Sequence, residues 1–196
     1  MMTKLQQEAE QKAQELLREL NPSVGMIDTD QVVQLVQKRT NYDIKVRRGD
    51  FSRIGIDDLS NFGGMISIIK KSTHQSKGQA IIYLNTKKSS PQMMRFSLMH
   101  EIGHLMTSNL ETLEQGKVYV SPQINADITY LNDAKIQNDE FLEKEQAANI
   151  FALSILMPKE QFKIISKQCV ISKIANIFGV TEEAVLSRFL MMEAGC

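Results

Sequence analysis

Over the first forty positions the apolar residues recur at helical spacing. Leu5, Ala9, Ala13, Leu16, Leu17 and Leu20 line one side of a predicted helix over residues 2–20, with strong helix formers between them, and Asn21-Pro22 ends it. A second helix is predicted after Asp28-Thr29-Asp30, any of which can cap it, running through Val32, Val33, Leu35 and Val36 toward Arg39. From Tyr42 the period shortens to two. Residues 43–47 alternate as a short strand, and 65–70 and 79–84 are β-rich runs joined by a polar loop, 71–78, that carries His74 as a surface histidine. These runs predict a small, antiparallel-rich sheet of about three strands. Asn61-Phe62-Gly63-Gly64 reads as a tight turn into the second strand, because no Lys-Ser/Thr follows the glycines as a phosphate loop requires.

The helical period returns at Ser90, a capping residue, and Pro91, which suits the first helical position. Met94, Phe96, Leu98, Met99, Ile102, Leu105 and Met106 make this helix apolar over most of its surface, yet His100, Glu101 and His104 interrupt the run. Burying two imidazoles and a carboxylate without partners is costly. Four residues apart, the two histidines share a face and can grip one divalent metal, with Glu101 beside them and round the helix. This is the His-Glu-x-x-His arrangement, in which the glutamate takes a proton from a metal-activated water.

A histidine pair supplies two ligands, and catalytic zinc generally takes three. The candidate for the third lies in residues 145–158, where Glu145, Ala148, Asn149 and Ala152 share one helix face and small alanines let another helix come close. From there Glu145 can reach across to His100 and His104. The residues alone leave a second reading open, in which Glu143 and Glu145 simply favour the positive end of a helix dipole. Asn149, one turn beyond Glu145, either orients a ligand or packs.

Between these helices, residues 105–144 carry a Gln115-Gly116 turn, a strand-like Val118-Tyr119-Val120 ended by Ser121-Pro122, and a polar, acidic run over 133–143. The stretch either shapes a substrate cleft or is a tolerated insertion. After Pro158 the pattern is helical again. Ile171, Ile174, Ala175 and Phe178 share a face, Gly179 can end that helix, and Thr181 can cap the next, over 182–192. The outline is that of a helix-turn-helix, so the rival function is a DNA-binding or partner-binding regulatory module without catalytic activity. Charge argues against direct nucleic-acid binding: residues 159–196 hold five basic and four acidic groups, and the second helix offers only Arg188.

Composition narrows the setting. The chain has 196 residues, enough for one domain with a sizeable core or one with a small appendage, and a formal net charge of zero, which gives no global pull toward nucleic acid or an anionic membrane. Acidic groups gather in residues 101–145, nine against three lysines, a run that stays solvated or favours basic substrates. Cys169 and Cys196 sit in no C-x-x-C pattern and read as free thiols. Residues 1–20 hold no apolar signal segment and no run reaches membrane-spanning length, so the expected compartment is cytoplasmic.

Two blocks carry a family resemblance. His100-Glu101-Ile102-Gly103-His104 preceded by Arg95-Phe96, and Glu145-x-x-Ala148-Asn149-x-Phe151-Ala152-x-x-x-Leu156-Met157-Pro158, resemble the signature blocks of the ImmA/IrrE zinc metallopeptidases. The likeness spans residues 81–158, with a looser tail and a longer interval between the blocks. It implies an α+β, zincin-like metallopeptidase, mostly helical, occupying residues 1–158 with 1–40 as a helical lead-in, and a helical extension over 159–196. It implies Zn2+ held by His100, His104 and Glu145, with Glu101 as catalytic base. It further implies a protein substrate, a DNA-binding repressor of a mobile element or stress response, whose cutting releases transcription. Tyr83, Tyr119 and Tyr130 are chemically able to stabilise an oxyanion, and the strand at 79–84 either adds a substrate strand at its edge or is purely structural.

Overall fold

The first helix, α1 (Lys4–Leu20), begins at a reciprocal cap in which Thr3 and Gln6 each bond the other's backbone, and ends at Asn21 in the left-handed region, φ 42°. In α2 (Thr29–Arg39) it is Asp28 that caps, accepting from the N–H groups of Asp30 and Gln31. The computed structural model describes residues 2–40, 42–50, 62–69, 77–87, 89–107, 118–122 and 139–193. His74, Tyr130 and Cys196 fall outside the described residues, as does most of 105–144.

Four strands form one sheet: β1 (Tyr42–Gly49), β2 (Phe62–Ile69), β3 (Gly78–Asn85) and β4 (Val118–Pro122), in the order β1-β3-β2-β4. β1 and β3 run parallel, in register from Tyr42↔Gly78 to Gly49↔Asn85, which corrects the antiparallel-rich expectation for this pair. Alternation assigns a strand's faces and says nothing of its direction. β2 lies antiparallel to both β3 and β4. β3 is therefore an interior strand, flanked on both sides, and has no free edge to which a substrate could add. A second correction concerns Gly63 and Gly64, which lie inside β2 and not in a turn before it, with a register shift between Phe62 and Gly64.

Five helices follow in chain order: α3 (Pro91–Thr107), α4 (Asp139–Leu156), α5 (Lys159–Ser166), α6 (Ile171–Phe178) and α7 (Glu182–Glu193). α3 is wedged between the sheet and α4, with β2 and β3 on one side and α4 on another, while α1 and α2 also touch it. Every residue from Phe96 to Leu105 is buried as a result, which explains an apolar surface all round rather than a stripe. α1 lies along α4, and its Lys12 donates to the Met106 carbonyl at 2.6 Å, closing the end of α3.

The last helices pack onto this core. Phe162 of α5 meets Phe178 of α6 and Phe189 of α7 with ring centroids 6.1 and 4.9 Å apart. Gly179 ends α6 in the left-handed conformation, φ 64°. Arg188 of α7 is fully buried: it donates through Nε to the Met157 carbonyl (3.1 Å) and through Nη1 to Ser154 Oγ (3.1 Å), at the C-terminal end of α4. Burial pulls its guanidinium down to about 10 against the opposing charge of Glu10 on α1. The one cation that a recognition helix would have offered to phosphate is thus spent on α4. Among the described residues no helix is long and apolar enough to cross a membrane.

Candidate metal centre

The site is built where α3 meets α4. Ser90 caps α3 as its sequence suggests, accepting from the Met93 N–H at 3.2 Å, and Pro91 opens the helix. Arg95, in the first turns, donates to the Gly179 carbonyl at 3.1 Å and the Ile27 carbonyl at 2.8 Å. It ties the start of α3 to the end of α6 and to the segment entering α2. Burial lowers its pKa while Asp28 raises it.

Two turns further on, Gly103 sets the distance between the helices. A Cβ placed there would lie 2.9 Å from both the Cα and the carbonyl oxygen of Ala148 and 3.2 Å from Phe151 Cβ. The backbones therefore approach as closely as a glycine facing an alanine allows. That approach brings the two sequence blocks together: His104 Nε2 is 3.1 Å from Glu145 Oε1, His100 Nε2 is 3.3 Å from Glu145 Oε2, and the two Nε2 atoms are 2.9 Å apart. All three side chains are buried, and their ligand atoms lie within 4.8 Å of one another.

Asn149 orients this group. His100 Nδ1 lies 2.7 Å from Asn149 Oδ1. An amide oxygen only accepts, so Nδ1 carries the hydrogen and Nε2 is left with its lone pair directed at His104 and Glu145. Glu101 is fully buried on the side of α3 that faces β2, beneath Gly64.

The electrostatics describe a charged knot. Burial pushes the His100 imidazole down, but Glu145, Glu101 and the Asn149 bond together hold it above its ordinary value. Burial likewise pushes Glu145 up, and the two histidines overcome it, drawing its carboxyl down to about 2. With its hydrogen on Nδ1, His100 can only accept at Nε2, from His104 Nε2–H, so it offers no donor to Glu145 Oε2, and that buried oxygen makes no hydrogen bond. Two nitrogens on one tetrahedral zinc at about 2.0–2.1 Å would sit roughly 3.3 Å apart, near the separation seen. The residues fit a divalent cation, and His100, His104 and Glu145 could hold one.

Not every candidate assembles here. Tyr83 alternates with the buried Ile82 and Leu84 and so faces away from α3, where Arg47 stands 6.0 Å from its ring centroid. It is no oxyanion donor for this site. The Tyr119 side chain and Tyr130 lie outside the described residues. Gly103, Gly64 and the buried partners of Arg188 escaped sequence reasoning, although a glycine inside an otherwise strong helix is a signal of close packing. Residues 41–190 match a peptidase family whose model is described as the IrrE N-terminal-like domain. No curated protein matches the chain.

Proposed function

The chain belongs to the IrrE N-terminal-like peptidase family, and from that premise we propose that it is a zinc-dependent endopeptidase cutting a protein substrate, a DNA-binding transcriptional repressor. The observation that carries the reading is the convergence of His100, His104 and Glu145 in one buried cluster, with Glu101 on the same helix. A zinc ion held there supplies Lewis acidity, making water a nucleophile near neutral pH and polarising the scissile carbonyl. Glu101 accepts the proton of the attacking water and passes it to the leaving amine. Asn149 keeps His100 in the tautomer that binds metal, and Gly103 keeps Glu145 within reach of both histidines.

The resemblance of both signature blocks to the ImmA/IrrE peptidases supports a repressor of a mobile element or stress response as the substrate. A free thiol at Cys169 agrees with a reducing, cytoplasmic setting. Burial of Arg188 supports a tail that packs on the core over one that grips nucleic acid.

Elemental analysis of the purified protein beside Glu145→Ala and Glu101→Gln tests the reading. About one zinc per chain is expected in the parent and in Glu101→Gln, with loss in Glu145→Ala. Glu101→Gln should keep its metal and lose cleavage of a repressor that the parent cuts. A parent that binds no metal when zinc is supplied overturns the peptidase reading.

A further inference from the structure

Gly64 lies against Glu101 on the side of α3 away from α4. A Cβ on Gly64 would stand 3.0 Å from Glu101 Oε1, 3.4 Å from Glu101 Cγ and 3.3 Å from Ser97 Cβ. No turn requires this glycine, since it sits inside β2, and its φ is not among the positive values. What the position requires is the absence of a side chain.

Both walls are braced. β2 is paired on both sides at this point, with Gly64 opposite Leu84 of β3 and Ser121 of β4. α3 is held from behind by the contact of Gly103 with Ala148 and Phe151. Of the three atoms a Cβ would meet, Ser97 Cβ is fixed to the helix backbone. The end of Glu101 is the part that can move, and it would move by several tenths of an ångström.

We propose that Gly64 is a positioning residue for Glu101: its bare Cα forms the seat that fixes where the carboxylate lies, and any side chain there displaces the carboxylate. The steric part stands on these distances alone; its catalytic consequence rests on Glu101 being the proton acceptor of the proposed peptidase. A misplacement near 1 Å costs about a hundredfold in rate, so a smaller one is expected to cost about tenfold. Zinc binding is expected to hold, because the three atoms nearest to a Cβ on Gly64 belong to Glu101 and Ser97 and not to His100, His104 or Glu145.

Two measurements test this. In the zinc-loaded protein, Gly64→Ala should keep the parent's zinc content and KM and lose about tenfold in kcat. Independently of activity, Gly64→Val should lower the thermal midpoint, and the same change in a Glu101→Ala background should lower it by less than half as much, because the group in its way is gone. If Gly64→Val folds only in the Glu101→Ala background, the proposal is supported in its strongest form. Gly64→Ala with the parent's kcat overturns it, and so does a loss from Gly64→Val, or a failure to fold, that is the same in both backgrounds. Should the protein prove to bind no zinc, the peptidase reading fails while the stability pair still decides whether Glu101 sits on Gly64.

Discussion

Gly103→Ala probes the helix contact that assembles the metal centre. The added carbon would lie 2.9 Å from Ala148 Cα and O, where ordinary contact begins near 3.4 Å. Both obstructing atoms are backbone, so no rotamer change relieves the clash, and trimming Ala148 to glycine would not help. α3 and α4 must part by about 0.5–1 Å. Overpacking of this kind costs about 1–3 kcal/mol, and replacing a mid-helix glycine by alanine returns about 0.8–1.0 kcal/mol. The net expectation is a loss of about 1 kcal/mol, or a midpoint about 2–4 °C lower for a chain of this length. The effect on metal is larger. Ligand distances tolerate only about 0.2 Å, so parting the helices should weaken zinc binding at least about tenfold. Thermal denaturation with and without zinc and competition with a chelator measure the two effects. A variant more stable than the parent by about 1 kcal/mol, with unchanged zinc affinity, would show that the close approach does not hold the site.

Further outcomes follow from other contacts. Asn149→Ala should lower zinc affinity about 10–100-fold, while Asn149→Asp, still an acceptor for His100 Nδ1–H, should stay near or above the parent in the same competition assay. In protein stripped of metal, His100 is held above 6.5, so its contribution to stability is full below that value and fades as pH rises through the folded one. Glu145 contributes above 4.5 and loses its share only as pH falls toward about 2. The pair thus favours the stripped protein most between these limits, whereas zinc demands neutral imidazoles. The gain in midpoint on adding zinc should therefore grow from pH 6 to pH 8, and a gain independent of pH counts against this cluster as the metal site. Arg188→Ala leaves the Met157 carbonyl and Ser154 Oγ without their buried donor and opens a cavity. A loss of about 2–4 kcal/mol is expected in denaturant unfolding, and a change within experimental error would mean that the tail is dispensable to the core.

The site was more legible than the sheet, and the reason is periodicity. His100 and His104 repeat at one helical turn, Glu145, Ala148 and Asn149 repeat likewise, and each set names the face it presents. Residue types at helical spacing carry direction in space, so chemistry and small residues put Glu145 forward as a third ligand beside its reading as a helix-dipole acid, and the family resemblance favoured the ligand. Strand alternation identifies the buried Ala80, Ile82 and Leu84 but leaves open which neighbour β3 takes and whether that neighbour runs with it. The parallel β1–β3 pair was invisible for that reason. Gly63-Gly64 misled because glycine serves turns and close contacts alike, and the decisive neighbour, Glu101, lies far away in sequence. Arg188 counted as a surface charge because its acceptors sit 31 and 34 residues upstream.

That same arginine makes the final helix a strut of the metal centre. Met157 and Ser154 close the helix that carries Glu145, and Arg95 on the histidine helix leans on the carbonyl of Gly179. A chain trimmed at Pro158 would keep every candidate ligand and lose the braces at both helices that carry them. Transplanting a foreign tail would meet the same difficulty unless the incoming helix brought a buried donor able to satisfy both acceptors.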